Sequence, residues 1–179
     1  MEYGVAWVEV GDQTYRNSRN GLMRSETLIH KITLPMDVLN AAGKYCVCFR
    51  ALPERRPYFP QLGKLQTREY AFRRPDETHP LRVFMLADTH SKVDVPCRAA
   101  EAFGDIDLLI LNGDIPAESK QMEDIRAIYD ITSRLTRGEI PVVFARGSHD
   151  YRGRLATDLP EYIGMWRGET WFTFRIGKL

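Results

Sequence analysis

Leu108-Leu-Ile-Leu-Asn-Gly-Asp-Ile115 begins with four apolar residues and turns polar at Asn112, Gly113 and Asp114. Four large aliphatic side chains in a row suit a strand covered on both faces, the habit of a parallel sheet. The same grammar occurs on either side of it. Val83-Phe-Met-Leu86 leads into Ala87-Asp-Thr-His90, and Val142-Val-Phe-Ala145 leads into Arg146-Gly-Ser-His-Asp150. Stretches with helical spacing separate the three, so this part reads β-α-β-α-β with its polar strand ends at one sheet edge. In open parallel sheets that edge is where ligands bind.

The helices are legible from their ends. Asp94 is placed to cap a short helix with Pro96 in its first turn and Gly104 at its close. A longer helix is predicted from about Glu118 to Thr136, with Met122, Ile125, Ile128, Tyr129 and Leu135 at helical spacing and Gly138 beyond it. Further on, a short helix is expected over 155–162 and a strand over Trp171–Ile176.

Residues 3–74 follow strand grammar instead. Strands are predicted at Val5–Val10, Leu28–Leu34, Lys44–Ala51 and Arg68–Arg73, with Tyr45, Val47 and Phe49 on one face of the third. Asp12 to Gly21 is polar, and Asn20-Gly21 is a strong turn dipeptide. Arg74-Pro-Asp-Glu-Thr-His-Pro80 is a polar, proline-bounded stretch that separates the two grammars. The expected organisation is a β domain over 1–75, a linker over 76–80 and an α/β domain over 81–179.

Bulk properties exclude several function classes. The chain has 179 residues, 25 basic and 24 acidic, for a net charge of +1. That balance indicates no nucleic-acid or membrane partner. No segment reaches the roughly 18 apolar residues that span a bilayer, and the N-terminus has no secretory pattern. Cys46, Cys48 and Cys97 make no disulfide framework. Cys46 and Cys48 lie two apart on an expected strand, so they point the same way and bridge only with strain. A metal-binding reading of the pair requires two further ligands nearby, and free thiols in a reducing cytoplasm are the expectation. His30 is expected to be a half-buried structural histidine, and His79 a solvated loop residue.

The strand-end residues have the chemistry for phosphoester hydrolysis. That reaction needs charge neutralised on the phosphoryl oxygens and a water made nucleophilic, which two divalent metals about 3.5–4 Å apart supply. Asp88 and His90, just past a strand, could converge on one metal, and Asp114 suits a bridging position, with Gly113 permitting close backbone approach. Mixed carboxylate and imidazole ligation favours Mn, Fe or Zn. His149 is placed to contact the phosphoryl oxygen or to protonate the leaving group. Arg146 and Arg152, flanking the third motif, are candidates for the substrate phosphate.

Asp88-Thr-His90, Gly113-Asp114 and Gly147-Ser-His-Asp150 resemble the first three motifs of calcineurin-like metallophosphoesterases, D-x-H, G-D and G-N-H-D/E. The segment ahead of them resembles the fibronectin type III-like domain of purple-acid-phosphatase-type members. There a leucine precedes a tyrosine that ties a corner to upstream backbone, and Leu39 and Tyr45 fall in those places. The resemblance implies a mixed fold, an incomplete N-terminal β-sandwich followed by the α/β half of a metallophosphoesterase sandwich. It implies that Asp88 and His90 bind the first metal, Asp114 bridges and His149 is catalytic.

The same comparison exposes departures. Ser148 stands where the family has an asparagine that binds the second metal, and a serine hydroxyl is a poorer ligand. Ala117 occupies the place, three residues past Asp114, where phosphoprotein phosphatases carry an aspartate. No histidine follows His149, although the family completes its site with two further histidine motifs. The resemblance therefore implies metal-dependent hydrolysis of phosphomonoesters or phosphodiesters by in-line attack of a metal-bound hydroxide. The resemblance implies a phosphorylated small molecule or macromolecule as substrate. The chain itself is expected to be an impaired or inactive fragment, with a non-catalytic binding protein as the alternative.

Overall fold

The structure is a computed structural model of the chain, described for residues 2–56, 61–75, 78–165 and 172–176. It divides into two compact units, Met1–Phe72 and Arg73–Leu179.

The first unit is built on β1 (Gly4–Val10), which pairs antiparallel with β2 (Gln13–Arg16) across the two-residue turn Gly11-Asp12. A second small hairpin joins β3 (Ser18–Arg19) to β4 (Leu22–Met23). Its turn residues Asn20 and Gly21 both have positive φ, 51° and 77°, as a type I′ turn requires. Helix α1 (Met36–Ala42) ends at Gly43, whose φ of 63° lets its N–H reach back to the Leu39 carbonyl at 2.9 Å. Strands β5 (Lys44–Ala51) and β6 (Gln66–Ala71) complete an antiparallel sheet in the order β2-β1-β5-β6. Val8, Val10 and Leu39 are buried, and Tyr45 stacks on its cross-strand partner Tyr70 with ring centroids 5.2 Å apart.

Two expectations for this unit are corrected. Leu28–Leu34 forms no strand. The Thr27 hydroxyl donates to the Ile29 carbonyl at 2.7 Å and accepts from the Ile29 N–H at 3.2 Å, which bends the backbone where a strand should start. The polar stretch after Asp12 carries β2 and the β3–β4 hairpin, whose exposed side chains show no apolar alternation.

The second unit contains a parallel sheet of β7 (Val83–Leu86), β8 (Leu108–Asn112) and β9 (Val142–Ala145), in that order. Helix α2 (Asp94–Phe103) packs on β7, α3 (Arg126–Thr136) on β8, and the two helices touch each other. Ala100, Ile106 and Ile140 form a core cluster, with Phe84 and Leu135 packed against it. The central strand β8 meets the expectation of burial, with Leu108, Leu109 and Leu111 all buried. The edge strand β7 does not, since Met85 is 62% exposed.

Boundaries shift where side chains compete for the backbone. The long helix begins at Arg126 and not near Glu118, because the Asp124 carboxylate accepts the N–H groups of Lys120 and Gln121, and Ser119 exchanges backbone bonds with Arg152 and Leu155. Asp94 is the first residue of α2, not its cap, and makes no capping bond. Helix α4 (Leu159–Tyr162) is shorter than expected and has a proline in its first turn. Phe172–Ile176 forms no strand, and Trp171 lies outside the described residues.

Candidate metal and phosphate site

Three loops meet at the carboxyl ends of the parallel strands, joined by backbone bonds. The N–H groups of Asp88, His90 and Ser91 donate to the carbonyls of Gly113, Asp114 and Ile115 at 3.2, 3.1 and 2.7 Å. The buried Thr89 hydroxyl adds a bond to the Ile115 carbonyl at 2.9 Å. This ladder holds Asp88, His90 and Asp114 with φ of 54°, 46° and 54°, a left-handed backbone that non-glycine residues seldom adopt. Such strain persists only where surrounding bonds enforce it, and it collects at functional sites.

Glycine is required where the second and third loops cross. A Cβ on Gly113 would stand 2.5 Å from the Gly147 nitrogen, and one on Gly147 would overlap the Asp114 carboxylate. Both glycines of the G-D and G-S-H-D motifs thus serve a single close approach. It brings the Asp114 carboxylate within reach of the third loop. Asp114 Oδ1 accepts the His149 N–H at 2.6 Å, and Oδ2 accepts the Ser148 hydroxyl at 3.3 Å. Partial burial opposes its charge, but the His149 N–H, the Ser148 hydroxyl and the two nearby imidazoles outweigh that. The carboxyl pKa lies below its ordinary value.

Three of the candidate side chains converge. Ligand atoms of His90, Asp114 and His149 all lie within 4.8 Å of one another, and the two imidazole rings meet edge to face at 4.2 Å. Asp88 Oδ1 is 3.7 Å from His90 Nε2 and its side chain is 72% exposed, so it borders the cluster from the solvent side. A carboxylate-imidazole set of this kind can hold one divalent cation of the Mn, Fe or Zn class. Ser148 adds a hydroxyl beside it.

His149 is oriented by backbone. Its Nδ1 lies 2.7 Å from the Ala117 carbonyl and 3.3 Å from Arg152 Nη1. The carbonyl needs a proton on Nδ1, whereas the guanidinium needs a lone pair there. The shorter contact decides, so Nδ1 donates to Ala117 and Nε2 is left for chemistry. The Ala117 N–H in turn donates to Ser91 Oγ at 3.0 Å.

Asp150 is the residue that motif reading passed over. It is fully buried, and its Oδ2 accepts the N–H groups of Asp114 at 2.8 Å and Gly147 at 2.7 Å. Burial pushes its pKa up, against the pull of those two donors. The sequence carried no signal for this role, because a buried carboxylate of this kind is recognised only by the backbone groups it faces. Of the flanking arginines, Arg146 donates to the Ala156 carbonyl and stacks over Tyr151 at 4.5 Å, while Arg152 stays beside His149.

A family model described as calcineurin-like phosphoesterase matches residues 81–177. The chain belongs to the calcineurin-like phosphoesterase family. As a member of it, the protein is a metallophosphoesterase, and His90, Asp114 and His149 form a group able to hold a metal ion. No curated protein matches the chain. No helix among the described residues is long and apolar enough to cross a membrane.

Proposed function

We propose that this calcineurin-like phosphoesterase chain binds one divalent cation through Asp88, His90 and Asp114, at a site built for phosphomonoesters or phosphodiesters, with little or no turnover. The observation that carries the cation site is the convergence of His90, Asp114 and His149 ligand atoms within 4.8 Å, with Asp88 at its solvent border 3.7 Å from His90. A cation bound there supplies charge neutralisation on the phosphoryl oxygens and lowers the pKa of a water at neutral pH.

The remaining work falls to the chain's own groups. Asp114 is the ligand most firmly placed, because its carboxylate is held ionised and fixed by the third loop. His149 contacts the phosphoryl oxygen through Nε2 or, when protonated, passes that proton to the leaving oxygen. Ala117 gives His149 a neutral carbonyl partner, which stabilises the imidazolium less than an aspartate would. Arg152 is the arginine we assign to the substrate phosphate. Arg146 reaches it only by leaving Tyr151 and Ala156.

Impairment follows from the donor set. Among the described residues, a second cation would find Asp114 and the weak Ser148 hydroxyl. That same substitution favours a second reading, a protein that keeps the fold to bind a phosphorylated partner without hydrolysing it. The Leu39 and Tyr45 spacing supports reading the first unit as an incomplete fibronectin type III-like domain, and the three free thiols suit a cytoplasmic setting.

The test is p-nitrophenyl phosphate hydrolysis with Mn²⁺. Turnover no higher than in Asp114→Asn is expected. Turnover that Asp114→Asn abolishes overturns the impairment. If no Mn²⁺ binds at all, the binding reading must stand without a metal.

A further inference from the structure

We propose a second metal site, formed entirely by the first unit, in which Cys46, Cys48 and Glu9 bind a thiophilic d¹⁰ cation of the Zn²⁺ class. Cys46 and Cys48 occupy alternate positions of β5 and share a face, and Glu9 of β1 lies directly across from Cys46 in the antiparallel register. Their ligand atoms all fall within 4.8 Å of one another.

The sulfur spacing argues for a chelate and against a disulfide. The two Sγ atoms are 3.9 Å apart. Tetrahedral coordination with metal–sulfur bonds of about 2.3 Å separates two thiolates by roughly 3.8 Å. A disulfide needs about 2.05 Å, which the pleat of a single strand opposes. The pair therefore already stands at the separation a bound cation imposes.

The third donor selects the metal. A carboxylate oxygen is a hard ligand that copper(I) disfavours and Zn²⁺ accepts. Glu9 is itself oriented by the Trp7 indole, whose Nε1 donates to Oε1 at 2.8 Å, the kind of outer bond that fixes a metal-ligating carboxylate. Cys48 is 1% exposed, Cys46 half-buried and Glu9 exposed, so the site is closed on the inner side and open on the outer. Three protein ligands leave the fourth position to water.

Cobalt(II) is the probe, because thiolate-to-cobalt charge transfer reports sulfur ligation directly. The reduced full chain is titrated as wild type and as His90→Ala/Asp114→Asn, which removes the strand-end cluster. The charge-transfer band is expected in both, displaced by Zn²⁺. It is expected to vanish in Cys46→Ser, and affinity to fall ten-fold or more in Glu9→Gln. Cys46 is half-buried and Glu9 exposed, so these variants keep the sheet even if Cys48→Ser does not, with circular dichroism as the check. A missing band, a band that survives Cys46→Ser, or unchanged affinity in Glu9→Gln overturns the proposal. A band present in wild type and lost in His90→Ala/Asp114→Asn would show that sulfur ligation is not formed by the first unit alone, and overturns it too.

Discussion

Asp150 Oδ2 accepts the backbone N–H of Asp114 at 2.8 Å, so a fully buried carboxylate in the third loop fixes a candidate metal ligand in the second. The same oxygen holds the Gly147 N–H at 2.7 Å. Two loops from different strands share one acceptor.

Asp150→Ala leaves both N–H groups without a partner in a buried setting. Urea unfolding should show a loss of about 2–4 kcal/mol, the cost of two orphaned donors. Mn²⁺ affinity should fall about ten- to a hundred-fold as Asp114 loses its anchor. Asp150→Asn keeps an acceptor oxygen and should recover more than half of each loss. Equal effects of the two substitutions would show that charge, not the shared acceptor, matters.

Gly113→Ala tests the loop crossing. At φ of 80° the new Cβ would stand 2.5 Å from the Gly147 nitrogen. Backbone strain and overlap together should cost about 3 kcal/mol. A thermal melt within a degree or two of wild type would show that the loops are free to separate.

These two glycines mark what was legible in the sequence. The apolar runs at 83–86, 108–111 and 142–145 announced a parallel sheet because each ended in residues a buried strand cannot contain. The three motifs followed from that. Leu28–Leu34 misled because strand spacing says nothing about local competition, and the Thr27 hydroxyl takes the Ile29 backbone first. Glu118–Ile125 misled likewise, through the Asp124 carboxylate. Asp150 and the Ala117 carbonyl were hidden for another reason. Their roles depend on which backbone groups face them across the sheet edge, and no sequence spacing encodes that.

Asp107 and Arg82 join the starts of β8 and β7. The Asp107 carboxylate accepts Arg82 Nε at 3.0 Å, Nη2 at 2.8 Å and the backbone N–H at 3.0 Å. Arg82 holds the carboxyl pKa down to about 2, from an ordinary 3.8. A depressed pKa contributes stability that is full above 3.8 and lost as pH falls through about 2. Asp107→Asn should therefore cost about 1–2 kcal/mol at neutral pH, kept modest by the half-exposed guanidinium. The difference from wild type should vanish near pH 2. A gap that persists there would place its origin outside the ion pair.

His30 sets the opposite end of the pH scale. Burial, then the Arg24 charge, lowers its pKa below the ordinary 6.5. The unfolded chain then takes up a proton near pH 6.5 that the folded chain refuses, so stability declines as pH falls below that value. The loss stops growing once the folded imidazole also protonates. His30→Gln should flatten this slope in urea melts between pH 7 and 5. An unchanged slope would mean that His30 titrates alike in both states.

The central claim is that the strand-end site holds one cation through Asp88, His90 and Asp114. Mn²⁺, which avoids thiolates, measures it most directly, by electron paramagnetic resonance of free ion during titration of the full chain. One equivalent should bind, with affinity lost in Asp114→Asn and in His90→Ala. Two equivalents bound, or one that survives Asp114→Asn, would contradict it.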